Sequence, residues 1–548
     1  MHDHGGSATD QQQDSSRHML DRADHQALAW LFVLSLVVRA LVTLPMQHPG
    51  YMDAAYNYDI ALNLARGNGF NEPFLWNYLD DPSGLPHPSH LYWMPLPTLL
   101  AWLGITLLGH SYRAAQVPFI CLSALLPLIS YYVARRVLSH RSYAVTAALL
   151  TVFSGFFVPY WTHTDNFTPF ALAGSLCLIA GWRAPQAAIG RDAAKHYWRW
   201  CVLAGSMAAL AQLSRADGVL LLAVVIVWGV LCLRHTPRRA LVTSSLIAGS
   251  FVGVMLPWLI RNTSVVGTPW PAYGTQTIWL TQYDDLFHYG RMLSLENYLA
   301  WGWSNILQSK LEALWWNVQT VVAAWGMIFL VPLALLGAWH LRRHLLLQLA
   351  GSYAFILFLV MTFIFTFPGP RGGLFHSGSA VLIFLYVAAL AGLDSAIRWV
   401  ATHRSTWQPE VARSVFAWGM VVLALLVSSF VVYRGIAIST RWRQPDIRYI
   451  QLANWLAVHG ESDSLVMLGD PPSWWYVSDI PAIVVPNEPP DVVLAVAQRY
   501  GARYLVLDVN RPAPLAALYD RTQTHPRLQL VHTLSDETGQ PVHIWRIR

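Results

Sequence analysis

The sequence predicts a polytopic α-helical membrane protein that ends in a small soluble α/β domain. Three observations carry this. The 548 residues are 55% hydrophobic and 12% charged, where a soluble domain holds about a quarter charged residues. Apolar runs of membrane-spanning length recur from Ala27 to Tyr433. After Tyr433 the pattern changes to short strand and helix periods in alternation. The 26 Trp and 23 Tyr suit a chain with many membrane–water boundaries, where amphipathic rings settle. The +6 net charge is no nucleic-acid footprint, because the basic residues sit in short loops between apolar runs. The four cysteines, Cys121, Cys177, Cys201 and Cys232, have neither disulfide-framework nor zinc spacing.

Residues 1–26 are polar and rich in His, Gln and Asp, without a basic leader or small-residue cleavage site. They read as a disordered cytoplasmic tail rather than a signal peptide. Apolar runs follow at Ala27–Met46, Ala114–Val137, Ala144–Val158, Phe167–Trp182, Trp200–Leu213 and Gly218–Leu233. Further runs are Leu241–Ile260, Val318–Trp339, Leu345–Phe367, Leu374–Leu393 and Phe416–Tyr433. Together they predict about eleven to thirteen membrane helices within residues 27–434. Leu91–Leu108 is apolar but carries Pro95 and Pro97, and is expected to dip into the outer face rather than cross.

Basic residues set the orientation. Arg135, Arg136 and Arg141 share one loop; Arg183, Arg191, Lys195 and Arg199 share another; Arg234, Arg238 and Arg239, then Arg342 and Arg343, then Arg398, Arg404 and Arg413 follow. These loops alternate with loops rich in acid, Pro and Gly, so the basic set is expected in the cytoplasm of an inner or plasma membrane. The outer face then collects the loops 47–113 and 261–316 and the domain 441–548. In that domain Asp446–His459 and Asp491–Tyr500 read as helices. Ser464–Leu468, Ala482–Val485, Arg503–Asp508, Leu528–Leu534 and Val542–Ile547 read as strands. No Gly-rich phosphate loop or nucleotide fingerprint occurs in it.

The stretch Pro49–Phe70, PGYMDAAYNYDIALNLARGNGF, organises the rest. It follows the first span and offers Asp53 and Asp59 among Tyr51, Tyr56, Asn57 and Tyr58. A carboxylate at a membrane edge must be solvated, paired or used. Asp53 either caps the helix that follows or does chemistry, and the two roles are compatible. In PHPSHLYWMPLPT, His87 and His90 fit interfacial hydrogen bonding first, anion contact second and metal ligation last. Asp165 in YWTHTDNFTPF is an N-cap or a ligand. Arg215 in LSRADG either pairs with Asp217 or meets a ligand. In FPGPRGGLFHSGS, glycines around Arg371 and His376 let backbone and guanidinium approach an anion, which an Arg fork fits well.

At these residues the chain resembles the GT-C superfamily of membrane glycosyltransferases, near the protein O-mannosyltransferases and lipid A aminoarabinose transferases. The resemblance rests on the order of GYMDAAYNYDIALNLARGNGF, HLYWMPLP, LSRADG, PWLIRNTSVVGTPWP, RGGLFHSGSA and the tail's RYLVLD. Here Asp53 is followed by Ala54 where relatives carry Asp-Glu, and His90 stands where the aminoarabinose transferases carry Lys. The resemblance implies transfer of a hexosyl or pentosyl unit from a polyprenyl-phosphate sugar to an acceptor hydroxyl on a protein, lipid or polysaccharide, on the outer face and with inversion. It implies Asp53 as catalytic base and Asp59, His90, Asp165, Arg215, Arg371 and His376 as substrate contacts. No metal ligands are assigned and no cofactor is required, although a divalent metal is compatible with the chemistry. A transporter or lipid flippase is the rival reading, but no internal repeat marks one. A scaffold with an outer binding domain would leave Asp53 and Arg371 idle.

Overall fold

The first span begins five residues before its apolar run. Asp21 and Asp24 exchange backbone hydrogen bonds (2.7 and 3.0 Å) in a capping box, so the helix Arg22–Thr43 starts inside the segment expected to be disordered. The computed structural model describes residues 21–189, 193–271, 273–365 and 372–548. Asp24 is buried against the Tyr131 hydroxyl (2.6 Å) and Arg135 (3.2 Å), which fixes the helix start beside the basic loop 135–141. At its other end the buried Arg39 donates to the carbonyls of Val152 (3.0 Å) and Thr151 (3.2 Å). Those carbonyls are orphaned because Arg141–Val152 bends by 47° into Gly155–Thr162. A buried arginine is costly in a membrane; here it satisfies a broken helix.

The chain is a multi-pass integral membrane protein, and fewer of its described helices have the length and apolarity to cross than its apolar runs suggest. Among the described residues seven helices are long and apolar enough to cross, or eight if the bent pair counts as one span. Leu96–Leu108, Ala216–Cys232 and Val331–His340 are shorter apolar helices. The difference has local causes. Val318–Trp339 is not one helix: a π-helical turn at Thr320–Trp325 is followed by Met327 (φ 48°) and Ile328 (φ 71°), left-handed positions that end it. Leu96–Leu108 has 13 residues, a rise of about 20 Å against a hydrocarbon core of about 30 Å. Val331–His340 survives as a short piece because it crosses Leu382–His403 closely. A Cβ at Gly337 would lie 1.7 Å from the Ala388 carbonyl, and one at Gly392 would lie 1.9 Å from that of Leu333.

The C-terminal segment forms a six-stranded sheet. Its order is Phe74–Leu75, Ala482–Val484, Val466–Leu468, Tyr504–Leu507, Pro541–Ile547, Leu528–Ser535. The first four are parallel and the last two antiparallel. Both faces are covered, as parallel strands require. Met467, Leu505 and Leu507 pack on the side of Pro490–Tyr500, while Val466, Leu468, Tyr504 and Val506 pack on the side of Ile447–Val458 and Pro471–Ser478. The edge strand Phe74–Leu75 comes from the loop after the first span. That loop and the chain's last hundred residues therefore build one sheet at one end of the bundle.

Candidate functional site

Asp53 lies in the first turn of the helix Met52–Ala65, which packs against the helix Pro471–Ser478 of the C-terminal segment. It does not cap the helix: Tyr51 is the cap residue, extended and without a side-chain cap bond. The approach to the helix is set by Gly50 (φ 72°), whose Cβ would fall 2.2 Å from the Trp442 ring. The Asn57 amide holds the Asp53 carbonyl (2.9 Å) and accepts from Thr98 (2.9 Å). Thr164 donates to the Ala54 carbonyl (2.7 Å), tying the 163–166 loop to the same turn.

That loop delivers Asp165. Its carboxylate accepts from the Tyr51 hydroxyl (2.7 Å) and from the Asn166 backbone (2.6 Å) and amide (2.8 Å). It too is not a cap; Asn166 precedes the helix, accepting from Phe170 through its carbonyl (3.0 Å). The Asn166 oxygen meets His376 Nδ1 at 3.1 Å, and the His376 ring stacks on Phe167 at 4.3 Å. The adjacent Ser377 joins Arg215 (3.0 Å) and Asp217, which itself accepts from Arg215 at 3.1 Å. Asp53, Asp165, Arg215 and His376 thus converge, although they are far apart in sequence. Burial and the Asp165 charge push Asp53 up to about 8, with Arg215 opposing and Asp470 of the C-terminal segment adding to the rise. Burial also raises Asp165, against the bonds from Tyr51 and Asn166.

The remaining candidates stand elsewhere. Asp59 is fully buried on another face of the helix, and neither oxygen has a partner among the described residues. Burial, Asp470 and Asp479 hold it well above the usual carboxylate range. His90 sits among Tyr56, Phe70 and Trp258 (rings 5.3–6.1 Å away). Burial and Arg261 push it down to about 3, so it is a neutral ring and offers no cation to a phosphate. Arg371 lies outside the described residues. Among the described residues no group of three or more His, Cys, Asp or Glu is placed to hold a metal ion.

Two cavities lie among the described residues of this region, neither lined by Asp53 or Asp165. The larger, about 260 Å³, is lined by Phe156, Pro159, Trp316, Ala323, Ala324 and Phe375, together with Tyr160, the exposed Arg441 and Trp442. Both π-helical turns, Thr320–Trp325 and Tyr433–Ala437, contribute to its wall. Tyr51 bridges from it to Asp165, with ring distances of 5.9 Å to Trp442 and 6.4 Å to Tyr160. Arg441 covers the Trp442 ring at 4.9 Å and acts electrostatically on Tyr160 and His163. The other is polar and far smaller, about 10 Å³, and is lined by Tyr56, Glu72, Asp80, His87, Tyr92 and Tyr273 among others.

Solved structures share this architecture. The archaeal oligosaccharyltransferase AglB from Archaeoglobus fulgidus, determined with an inhibitory peptide and a dolichol-phosphate, matches with a TM-score of 0.58 at 13% identity, over 87% of this chain and 69% of that one. ArnT from Cupriavidus metallidurans, bound to undecaprenyl phosphate, matches with a TM-score of 0.56 at 15% identity, over 94% of this chain and 97% of that one. The chain has the GT-C fold. A family model described as dolichyl-phosphate-mannose-protein mannosyltransferase matches residues 87–260, a segment of the GT-C bundle. No curated protein matches the sequence.

Within this GT-C chain, sequence reading missed several site residues. Asn166 and Ser377 each adjoin a residue that was singled out, so their signal was adjacency. Arg441 follows the last span in a run, RWRQ, that reads as the start of the C-terminal domain. Nothing local marks it as part of the lining of a cavity formed with Tyr160 and Trp316.

Proposed function

We propose that the protein transfers a hexosyl or pentosyl unit from a polyprenyl-phosphate sugar to an acceptor hydroxyl. The observation that carries the reading is the Asp53–Asp165 pair, joined through Tyr51 to an apolar cavity whose lining includes Arg441. Relatives in fold have been seen with dolichol-phosphate and undecaprenyl phosphate, and an apolar cavity with a cation in its lining suits such a lipid.

Asp53 takes the proton of the acceptor hydroxyl as its oxygen attacks the anomeric carbon. The carbon–oxygen bond to the lipid phosphate breaks, and the phosphate leaves with the electron pair. Arg441, with Arg371 and Arg215, stabilises that developing charge. Asp165, held by Tyr51 and Asn166, keeps Asp53 basic. A single displacement of this kind inverts the anomeric centre. Because the Asp53 loop and the C-terminal segment share a sheet, they act on one side of the membrane, and the basic loops favour the outer face.

The test is turnover by the purified chain in nanodiscs, with a polyprenyl-phosphate sugar and a panel of hydroxyl acceptors, read by release of polyprenyl phosphate and product mass. Movement of the intact lipid across a vesicle without product would favour a flippase and sink the transferase reading.

A further inference from the structure

We infer that Trp442 is a positioning residue: it carries the state of the apolar cavity to the Asp53–Asp165 pair. A seated lipid chain then raises the rate of transfer and not only the affinity for the donor. The inference rests on the transferase reading above and deepens it.

The indole stands where several parts of the chain meet. It is buried in the short turn Thr440–Trp442 that follows the last span. Its N–H donates to the Gly435 carbonyl, in the π-helical turn Tyr433–Ala437, at 2.7 Å. The Trp442 carbonyl accepts from the backbone of Gln47 (2.7 Å) and His48 (3.1 Å), in the approach to the helix that carries Asp53. The indole lies flat on His163, at 4.6 Å and 14°, two residues before Asp165. Tyr51 stands nearly perpendicular to the indole (5.9 Å, 79°) and to His163 (5.4 Å, 86°), and donates to Asp165 at 2.7 Å.

Trp442 also lines the apolar cavity, whereas Tyr51, His163 and Asp165 do not. One ring is therefore both the wall of the cavity and the common neighbour of the residues that hold Asp165.

A buried tryptophan at such a junction ordinarily fills space and does no more. Two features separate this one. What it packs against changes when the cavity fills. Its remaining contacts have no slack: even a Cβ at residue 50 would fall 2.2 Å from the ring. In a close-packed interior a displaced ring is passed on to its neighbours, here His163 and Tyr51. Rate responds to such a shift, since a misplacement of about 1 Å near the reacting groups can cost about 10²-fold. Contacts remote from the reacting atoms then appear in kcat as well as in KM.

The test uses the full chain in nanodiscs and variants that divide the contact. His163→Leu removes the ring stacked on the indole and leaves the cavity wall intact. It should bind undecaprenyl phosphate within about twofold of wild type, melt at a similar temperature and lose about tenfold or more in kcat. Trp442→Phe keeps an aromatic face for His163 and should retain most of the rate. Trp442→Leu should lose at least as much as His163→Leu. In a Tyr51→Phe background His163→Leu should cost less than it does alone, because both act on the same bond to Asp165.

Donor length gives a second readout, with undecaprenyl-phosphate mannose and arabinose set against their geranyl-phosphate counterparts. Wild type should show a kcat about tenfold or more higher on the long donors, and His163→Leu should erase most of that gap. A packing role alone predicts a lower Tm with kcat unchanged. A wall role alone predicts weaker lipid binding in Trp442→Leu and no effect of His163→Leu. Either result would overturn the inference. If wild type turns over neither donor, the transferase reading falls and the coupling is decided by binding alone. Undecaprenyl phosphate should slow hydrogen exchange over residues 160–170 in wild type and not in His163→Leu. Equal protection in both, or none in wild type, would overturn the coupling.

Discussion

The Tyr51 hydroxyl donates to the Asp165 carboxylate at 2.7 Å across 114 residues of chain. It fixes which of the two neighbouring acids is free. Asp165 has its oxygens committed to Tyr51 and Asn166, which in the proposed mechanism leaves Asp53 to exchange a proton. Tyr51→Phe should release Asp165 and blur that division. We expect a fall in turnover of about tenfold, roughly the effect of losing one hydrogen bond to a charged group (about 1.5–3 kcal/mol). Turnover that is unchanged in a folded Tyr51→Phe protein would count against this division of roles.

Asp53→Asn should reduce turnover by about 10²–10⁴-fold, the usual range for removing a general base. Because Tyr51 holds the cap position, Asp53→Asn and Asp53→Ala should have similar melting temperatures. A capping role would instead leave Asn active and make Ala the unstable variant. Turnover and thermal melts of both variants separate the two.

Asp53 also sets a pH dependence. Burial and Asp165 raise it to about 8, and a base must be ionised to work, so turnover should rise with pH toward that value. The stability effect runs the other way. The folded carboxyl binds its proton more tightly than the unfolded one, so this contribution to stability is present at low pH and is lost as pH rises from about 4 to 8. Asp53→Asn should flatten the fall in melting temperature over that window. An identical pH profile of melting in the variant would refute the raised value. Arg215→Gln removes the opposing charge and should move the acid limb of the rate profile further up.

Much of the bundle was legible because apolar runs report helices directly. The strands at Val466–Leu468, Ala482–Val484 and Tyr504–Leu507 fall within the segments their residue patterns marked. What composition could not show was where a run breaks. Val318–Trp339 is apolar almost throughout, yet Met327 and Ile328 take left-handed conformations that break it, and no local residue pattern marks the break. The helix Pro471–Ser478, PPSWWYVS, was missed because two prolines read as loop, although proline is well suited to a first helical turn. At the candidate site, lone charges in apolar sequence singled out Asp53, Asp165 and Arg215, which the fold brings together, and also Asp59 and His90, which it places apart from them, since sequence does not tell which face of a helix or loop a charge occupies. Of the Glu72–Asp80–His87 network only His87 stood out, as a hydrogen-bonding residue; Glu72 and Asp80 are unremarkable until the loop folds back on itself.

The shared sheet makes a topological prediction. Phe74–Leu75 pairs with Ala482–Ile483, so Ser83 and Ser462, both exposed, must lie on one side of the membrane. Cysteines placed at both positions should be labelled together by an impermeant reagent from the outer face. Labelling of only one would contradict the sheet, and labelling of both only from the cytoplasm would reverse the orientation.

Arg441 carries the last prediction. It lines the apolar cavity, exposed and stacked on Trp442, where a lipid phosphate would sit with its chain below. Loss of a charge-assisted hydrogen bond costs about 1.5–3 kcal/mol, so Arg441→Ala should weaken binding of undecaprenyl phosphate by about tenfold or more. Arg441→Lys keeps the charge but not the fork or the flat face over Trp442, so it should recover only part of the loss. Because the group is exposed, added salt should weaken wild-type binding and hardly affect the Ala variant. Ala323→Phe tests the other half of the ligand. It narrows the apolar body without touching Arg441, so it should weaken the full-length lipid and spare a short-chain phosphate. If Arg441→Ala binds the lipid as wild type does while Ala323→Phe does not, the chain occupies this cavity but its phosphate is held elsewhere, and Arg215 or Arg371 takes over the role.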